Sequence, residues 1–286
     1  MLYSRRALCA GLDTGDDGRA GARRENSKGC GSLLAAAGPL GATTLARSGG
    51  AQAIDALAYK QNDCSRGKLL GPGNQNVTAA KQLVSSYCAI DLQAGPTEAV
   101  VLCNQGNPRW IAADLVAQAE HAPDTRSFLA TTSGVFARKV QREVILQLTV
   151  LPKNHPAQLS TRKTGAILLA RSKMQACEFV NHFAPEHLSL PDQGEGFLDE
   201  IHSAGTVFQG PLNAQPFGDY ASGSNHVLPT GGWARQRGDL SAPDFVKCVS
   251  VQTTEREGHR RPAGDLQSLV YPEGLLAHAN AVAVRR

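Results

Sequence analysis

The chain has 286 residues, 42% of them hydrophobic, which is enough to fill one large domain or two ordinary ones. Its formal charge of +4 comes from Lys and Arg scattered among acids, with no basic stripe interleaved with aromatics, so a nucleic-acid partner is not expected. The uncharged stretch near the start, which includes Gly31 to Ala46, is short and Gly-rich, so no membrane span is expected either. Seven cysteines never form Cys-x-x-Cys and leave an odd one over, which reads as reduced intracellular thiols rather than a disulfide scaffold.

Residues 1–31 are Gly- and Arg-rich with few large apolar side chains and read as disordered. Their arginines would suit an organelle transit peptide, but Asp13, Asp16, Asp17 and Glu25 argue against one, and a cytoplasmic location is the expectation.

From Leu33 on, apolar runs alternate with helical patterns, as in an α/β protein with parallel sheets. A first unit spans 32–94. Within it a turn at Ser48-Gly49-Gly50 leads into a helix through Ala58, and a second tight turn, Leu70 to Asn74, precedes a helical run from Val77 to Ser86. Either turn could bind an anion at a helix start or simply reverse the chain, and neither is a G-x-G-x-x-G fingerprint. A second unit, 95–240, opens at Gly95-Pro96-Thr97-Glu98. It reads as strand Ala99–Leu102, helix Trp110–Ala122, strand Phe128–Thr132, helix Val135–Leu148, strand Ala166–Leu169, helix Lys173–Phe183 and strand Thr206–Phe208. Such a sheet predicts a ligand site at the carboxyl ends of its strands, crossed by the Gly-rich segment Gly218 to Gly232. The tail, 241–286, reads as a small helical appendage.

The polar residues of interest are far apart in sequence. Gln118 and His121 lie three apart and would share one helix face, as ligands for one ion or as a plain polar stripe. Glu186 and His187 pair the side chains most often used for proton transfer near neutral pH, at a pocket mouth or at a solvated helix end. Asp219 could bind metal or cap a turn, and His226 sits between flexible Gly and rigid Pro where a loop could present it. Glu273 and His278 are five apart in the terminal helix, about 140° around it, an awkward spacing for one site. As a set, Gln118, His121, Asp219 and His278 offer two imidazoles, a carboxylate and an amide oxygen, donors that suit zinc.

Several segments together resemble the histidinol dehydrogenase family: Gly49-Gly50-Ala51-Gln52, Gly71-Pro72-Gly73-Asn74, Gly95-Pro96-Thr97-Glu98, Gln118-Ala119-Glu120-His121, Pro185-Glu186-His187-Leu188, the run from Gly218-Asp219-Tyr220 to His226-Val227-Leu228-Pro229-Thr230, and Glu273 to His278. The resemblance runs from about Leu33 to the C-terminus, while the family's chain is longer at its N-terminus. It implies incomplete Rossmann-like domains of the aldehyde-dehydrogenase type, a partial NAD-binding domain at 32–94, a zinc and substrate domain at 95–240, and a helical dimerisation tail. It also implies oxidation of L-histidinol through the aldehyde to L-histidine with two NAD+.

Carried over by position, Gln118, His121, Asp219 and His278 resemble the zinc (Zn2+) ligands, and the zinc orients the substrate rather than taking the hydride. Glu186 and His187 resemble the proton acceptors, His187 for the alcohol and Glu186 for the attacking water. Thr97, His226 and Glu273 resemble substrate contacts, alongside His187 and the four zinc-site residues. Gln52 and Asn74 resemble NAD contacts. The family forms homodimers in which Glu273 and His278 cross to the neighbouring copy. The competing expectation is a truncated, non-catalytic relative that retains a zinc or dimerisation module.

Overall fold

A computed structural model describes residues 49–59, 68–71, 73–92, 95–192, 196–255, 264–266 and 268–285. The expected unstructured start at 1–31, Ser48 and Pro72 lie outside the described residues. The chain divides into two compact units, Met1–Phe245 and Val246–Arg286.

In the larger unit, strands β3 (Glu98–Leu102), β4 (Arg126–Thr131), β5 (Ala166–Leu169), β6 (His187–Leu190) and β7 (Thr206–Gln209) form one sheet in the order β5-β4-β3-β6-β7. Every neighbouring pair is parallel. Parallel pairing demands crossovers, and helices α3 (Pro108–Ala119), α4 (Gly134–Thr149), α5 (Pro156–Lys163) and α6 (Lys173–Phe183) supply them. Strand β3 is buried along its whole length, and its side chains alternate between two cores. Val101 and Cys103 pack with Ile111, Leu115, Leu129, Phe136 and Val140 beneath α3 and α4. On the opposite face Val100 and Leu102 pack with Leu188, Leu190 and the Ala176–Cys177–Val180 face of α6.

The helix starts follow local chemistry. Asn107 accepts from the Arg109 N–H and Pro108 follows it, so α3 begins earlier than the expected Trp110. Among the elements that go beyond the sequence expectation are one helix and one strand of this sheet layer. Helix α5 begins on the same signal, with His155 capping and Pro156 next. Strand β6 was not expected from the sequence, yet all four of its residues are buried.

The N-terminal part of this unit is a small βαβ arrangement. Strands β1 (Lys68–Leu69) and β2 (Ala89–Ile90) pair in parallel. Helices α1 (Gly50–Tyr59) and α2 (Gln75–Val84) close Ile54, Leu57 and Ala58 over Leu69, Val84 and Cys88. Beneath that cluster Lys81 and Asp91 form a buried ion pair at 2.5 Å. Arg237 donates to the Asp91 carbonyl and pairs with Asp244 at 2.8 Å, and Asp244 in turn meets Lys68 at 3.3 Å.

The tail unit has a turn at Tyr271–Gly274 and helix α8 (Leu276–Ala283), in which only Ala279 is buried. Glu273 therefore sits in a turn ahead of the helix, not within it, because Gly274 takes a left-handed conformation (φ 73°) that interrupts a helical path. The 140° separation expected for two positions of one helix does not apply.

Candidate active site

Glu186 and His187 are set by the way α6 ends. Ala184 adopts a left-handed conformation (φ 53°) with its N–H bonded to the Val180 carbonyl, and Pro185 blocks further helix. The chain then turns Glu186 inward and starts β6 at His187, which pairs with Ala99 on one side and Thr206 on the other. Glu186 Oε2 accepts the Glu98 N–H at 3.1 Å and lies 3.7 Å from His187 Nδ1. His187 Nε2 lies 4.0 Å from Asp219 Oδ1.

Burial pushes the Glu186 carboxyl up to about 8, the carboxylates of Glu98 and Asp219 add to it, and the Glu98 N–H pulls the other way. Burial pushes the His187 imidazole down to about 4, with His121 and His226 acting in the same direction. Near neutral pH the proton of this metal-free pair rests on the carboxyl, and His187 is a neutral imidazole. Its buried Nδ1 has no hydrogen-bond partner, a lone pair or proton held ready at real desolvation cost.

The His187 ring stacks on Phe208, centroids 5.9 Å apart and planes 19° from parallel. Phe208 in turn presses on α7 (Pro216–Tyr220), where a Cβ at Gly218 would come within 2.6 Å of the Phe208 ring. Only glycine admits that approach, which brings Asp219, the next residue, up to His187. Gly218→Ala should therefore destabilise the fold by about 1–3 kcal/mol through overpacking, read from the denaturant midpoint. An unchanged midpoint would show that Phe208 moves aside freely.

Gln118 lies in the last turn of α3, and Glu120 caps it, so His121 lies past the helix rather than on it. The Gln118 carbonyl takes the His121 N–H at 3.2 Å and also the ring Nδ1 at 3.2 Å. A carbonyl only accepts, so Nδ1 carries the proton and the Nε2 lone pair is left for a ligand. Gln118 is 1% exposed, and its Oε1 has no donor. An orphaned amide oxygen beside an imidazole fixed in its Nε2-basic tautomer fits a cation. Among the described residues no group of three or more His, Cys, Asp or Glu forms a ready metal cluster.

These residues collect at the amino ends of the strands, contrary to the carboxyl-end expectation. Thr97, half-buried, directly precedes β3, and α3 returns toward the start of β4, bringing Gln118 and His121 with it. The αβ connections position these residues, not the βα loops on which the carboxyl-end rule rests. Exposed His226 lines a small cleft with His187, Thr206, Asp219 and Asn225.

The two cofactor candidates differ. Gln52 is exposed in the first turn of α1, after the Gly49-Gly50 turn. Asn74 Oδ1 caps α2 by accepting from Asn76 and Val77, so this residue first of all shapes the turn. Glu273 and His278 are exposed in the tail unit. Sequence reasoning gave no role to Glu98, whose signal is a lone carboxylate opening an apolar strand. No helix among the described residues is long and apolar enough to cross a membrane.

A parallel α/β sheet with a buried Glu–His pair defines an enzyme-like α/β architecture. The fold is shared with an acetylating aldehyde dehydrogenase from Geobacillus thermoglucosidasius, at a TM-score of 0.52 and 10% identity over 82% of this chain and 68% of that one. The sequence goes further: the histidinol dehydrogenase family model matches residues 24–286, and the chain belongs to that family. It is 43% identical over 256 residues to the histidinol dehydrogenases of Halalkalibacterium halodurans and Aquifex aeolicus, matching 88% of this chain and 60% of each relative. The crystal structure of the histidinol dehydrogenase from Elizabethkingia anophelis superposes with a TM-score of 0.82 at 38% identity, over 89% of this chain and 59% of that one. The chain thus spans about 60% of the length of these relatives.

Proposed function

We propose that this chain acts as an NAD-dependent, zinc-containing histidinol dehydrogenase, oxidising L-histidinol through the aldehyde to L-histidine in the cytoplasm. The observation that carries this reading is the buried Glu186–His187 pair beside Asp219, in a chain whose family match includes all of them. Gln118, His121 and Asp219 would hold the zinc, with His278 supplied across a homodimer. Bound zinc would fix the substrate's imidazole and amine, and orientation of that kind is worth several kcal/mol.

His187, neutral and unpartnered at Nδ1, suits removal of the alcohol proton as hydride leaves for NAD+. Glu186 suits the second stage, activating the water that adds to the aldehyde before the second hydride transfer, once it has given up the proton that burial favours on it. Thr97, His226 and Glu273 would contact L-histidinol. Gln52 would meet NAD directly, and Asn74 would do so through the turn it caps. The tail supports a dimer because Val246, Val249, Val251, Leu269, Tyr271 and Leu276 all stand exposed in one copy.

One observation favours a non-catalytic relative that keeps only a zinc or dimerisation module: among the described residues, β1 and β2 form a sheet of two short strands, small for a cofactor domain. Zinc titration of metal-free protein separates the two readings when followed by L-histidinol titration. A catalytic site binds zinc and then L-histidinol, whereas a bare module stops at zinc. His121→Ala and His278→Ala should each stay folded and weaken zinc by at least about 100-fold, since losing an outer partner alone costs about 10- to 100-fold. Unchanged zinc affinity in either variant removes that histidine from the site.

A further inference from the structure

Glu98 opens β3 and is 3% exposed. A buried carboxylate is costly unless it is fully paired, and the compensation here is thin. Its Oε1 faces Arg126 at 3.4 Å, across the β3–β4 register pair, and the Arg126 side chain is half exposed. Its Oε2 accepts one backbone N–H, that of Gly231, at 3.1 Å. An apolar side chain of the same length would fill this place at lower cost, so the fold alone gives little reason for a carboxylate.

Its contacts supply the reason. The Glu98 backbone N–H holds Glu186 Oε2 at 3.1 Å. Its side chain holds Gly231, where the chain leaves the segment that carries Asp219 and His226. Next to it the buried Thr230 hydroxyl accepts the Gly95 N–H. Gly231 and Gly232 both adopt left-handed conformations, with φ of 62° and 83°, a reversal that glycine tolerates best. One residue thereby ties two parts of the site, the Glu186–His187 corner through its backbone N–H and the Asp219–His226 segment through its side chain, to the start of β3 beside Thr97.

We propose that Glu98 is a positioning residue for substrate binding: its carboxylate bond to the Gly231 N–H fixes the Asp219–His226 segment in register with Thr97 and Glu186. This deepens the histidinol dehydrogenase reading and rests on it for the identity of the ligand. The bond needs an acceptor at this point and not a charge, so glutamine should substitute and methionine should not.

The test compares the zinc-loaded chain with its Glu98→Met and Glu98→Gln variants by amide hydrogen exchange and by L-histidinol titration. Methionine fills the buried space, and a thermal melt checks that both variants are folded. Glu98→Met should speed exchange at Gly231 about tenfold and weaken L-histidinol by a similar factor, as expected for loss of one buried hydrogen bond. Glu98→Gln should restore both most of the way. Unchanged exchange in Glu98→Met, faster exchange with unchanged binding, or a glutamine variant no better than methionine would each overturn the proposal. Failure of the unsubstituted chain to bind L-histidinol would overturn the assigned activity instead, while the exchange comparison still decides whether Glu98 holds the segment.

Discussion

Glu186→Gln should slow NADH formation from L-histidinol by about 10²- to 10⁴-fold, the span of a lost general acid–base group, while leaving zinc bound. The carboxamide keeps an oxygen for the Glu98 N–H, so the 3.1 Å contact that orients the side chain survives the change. What disappears is the ability to exchange a proton beside His187 Nδ1, 3.7 Å away. Stability should not fall, because burial already disfavours the ionised form of this group and the amide carries no charge. Turnover and zinc content measured on the same preparation check the result. Loss of zinc together with activity would make Glu186 part of the metal site, and an unchanged rate would remove it from proton transfer.

Asp91→Ala should lower the unfolding free energy by about 3–5 kcal/mol, read from denaturant melts, because it strands a buried ammonium. Lys81 is 3% exposed and Asp91 4%. Besides its 2.5 Å bond from Lys81, Asp91 accepts the Gly71 N–H at 2.7 Å and the Leu92 N–H at 2.6 Å. Lys81 also donates to the Gly71 carbonyl at 2.6 Å. Both sides of the peptide at Gly71 are thus clamped, three residues before the Asn74 cap, so the variant should also loosen the turn proposed to meet NAD. The double change Lys81→Met with Asp91→Leu should recover much of the loss, since an apolar pair leaves no charge unpaired. A single-variant loss below about 1 kcal/mol would mean that water reaches Lys81.

The order of strands and helices was legible because short continuous apolar runs, as in strands covered on both faces, alternate with helical patterns in the segments that build the main sheet. Ala166–Leu169 and Lys173–Phe183 lie where their patterns predict. Strand β6 was not legible, because His187 and Ser189 are polar yet buried, and the alternation His-Leu-Ser-Leu hides a strand enclosed on both faces. Helix α5 was missed for the opposite reason: it is short, buries only Ala157 and Ser160, and has no apolar stripe to detect. Among candidate site residues, Glu186, His187 and Asp219 were singled out through family resemblance, and the fold brings His187 within 3.7 Å of Glu186 and 4.0 Å of Asp219. Their place at the amino ends of the strands could not be read, since no local spacing says which end of a sheet an αβ connection serves. Glu98, Lys81 and Asp91 were missed because a charged residue in a strand or amphipathic helix looks solvated until its distant partner is known. Gly231 lies 133 residues from Glu98.

The most direct test of the assigned function is the near-ultraviolet absorbance of NADH in a mixture of the purified chain, zinc, NAD+ and L-histidinol, with the His187→Ala variant as the blank. The geometry predicts a rise that depends on L-histidinol and is absent from the blank. A flat trace from folded, zinc-loaded protein would contradict it and leave a zinc-binding relative without turnover.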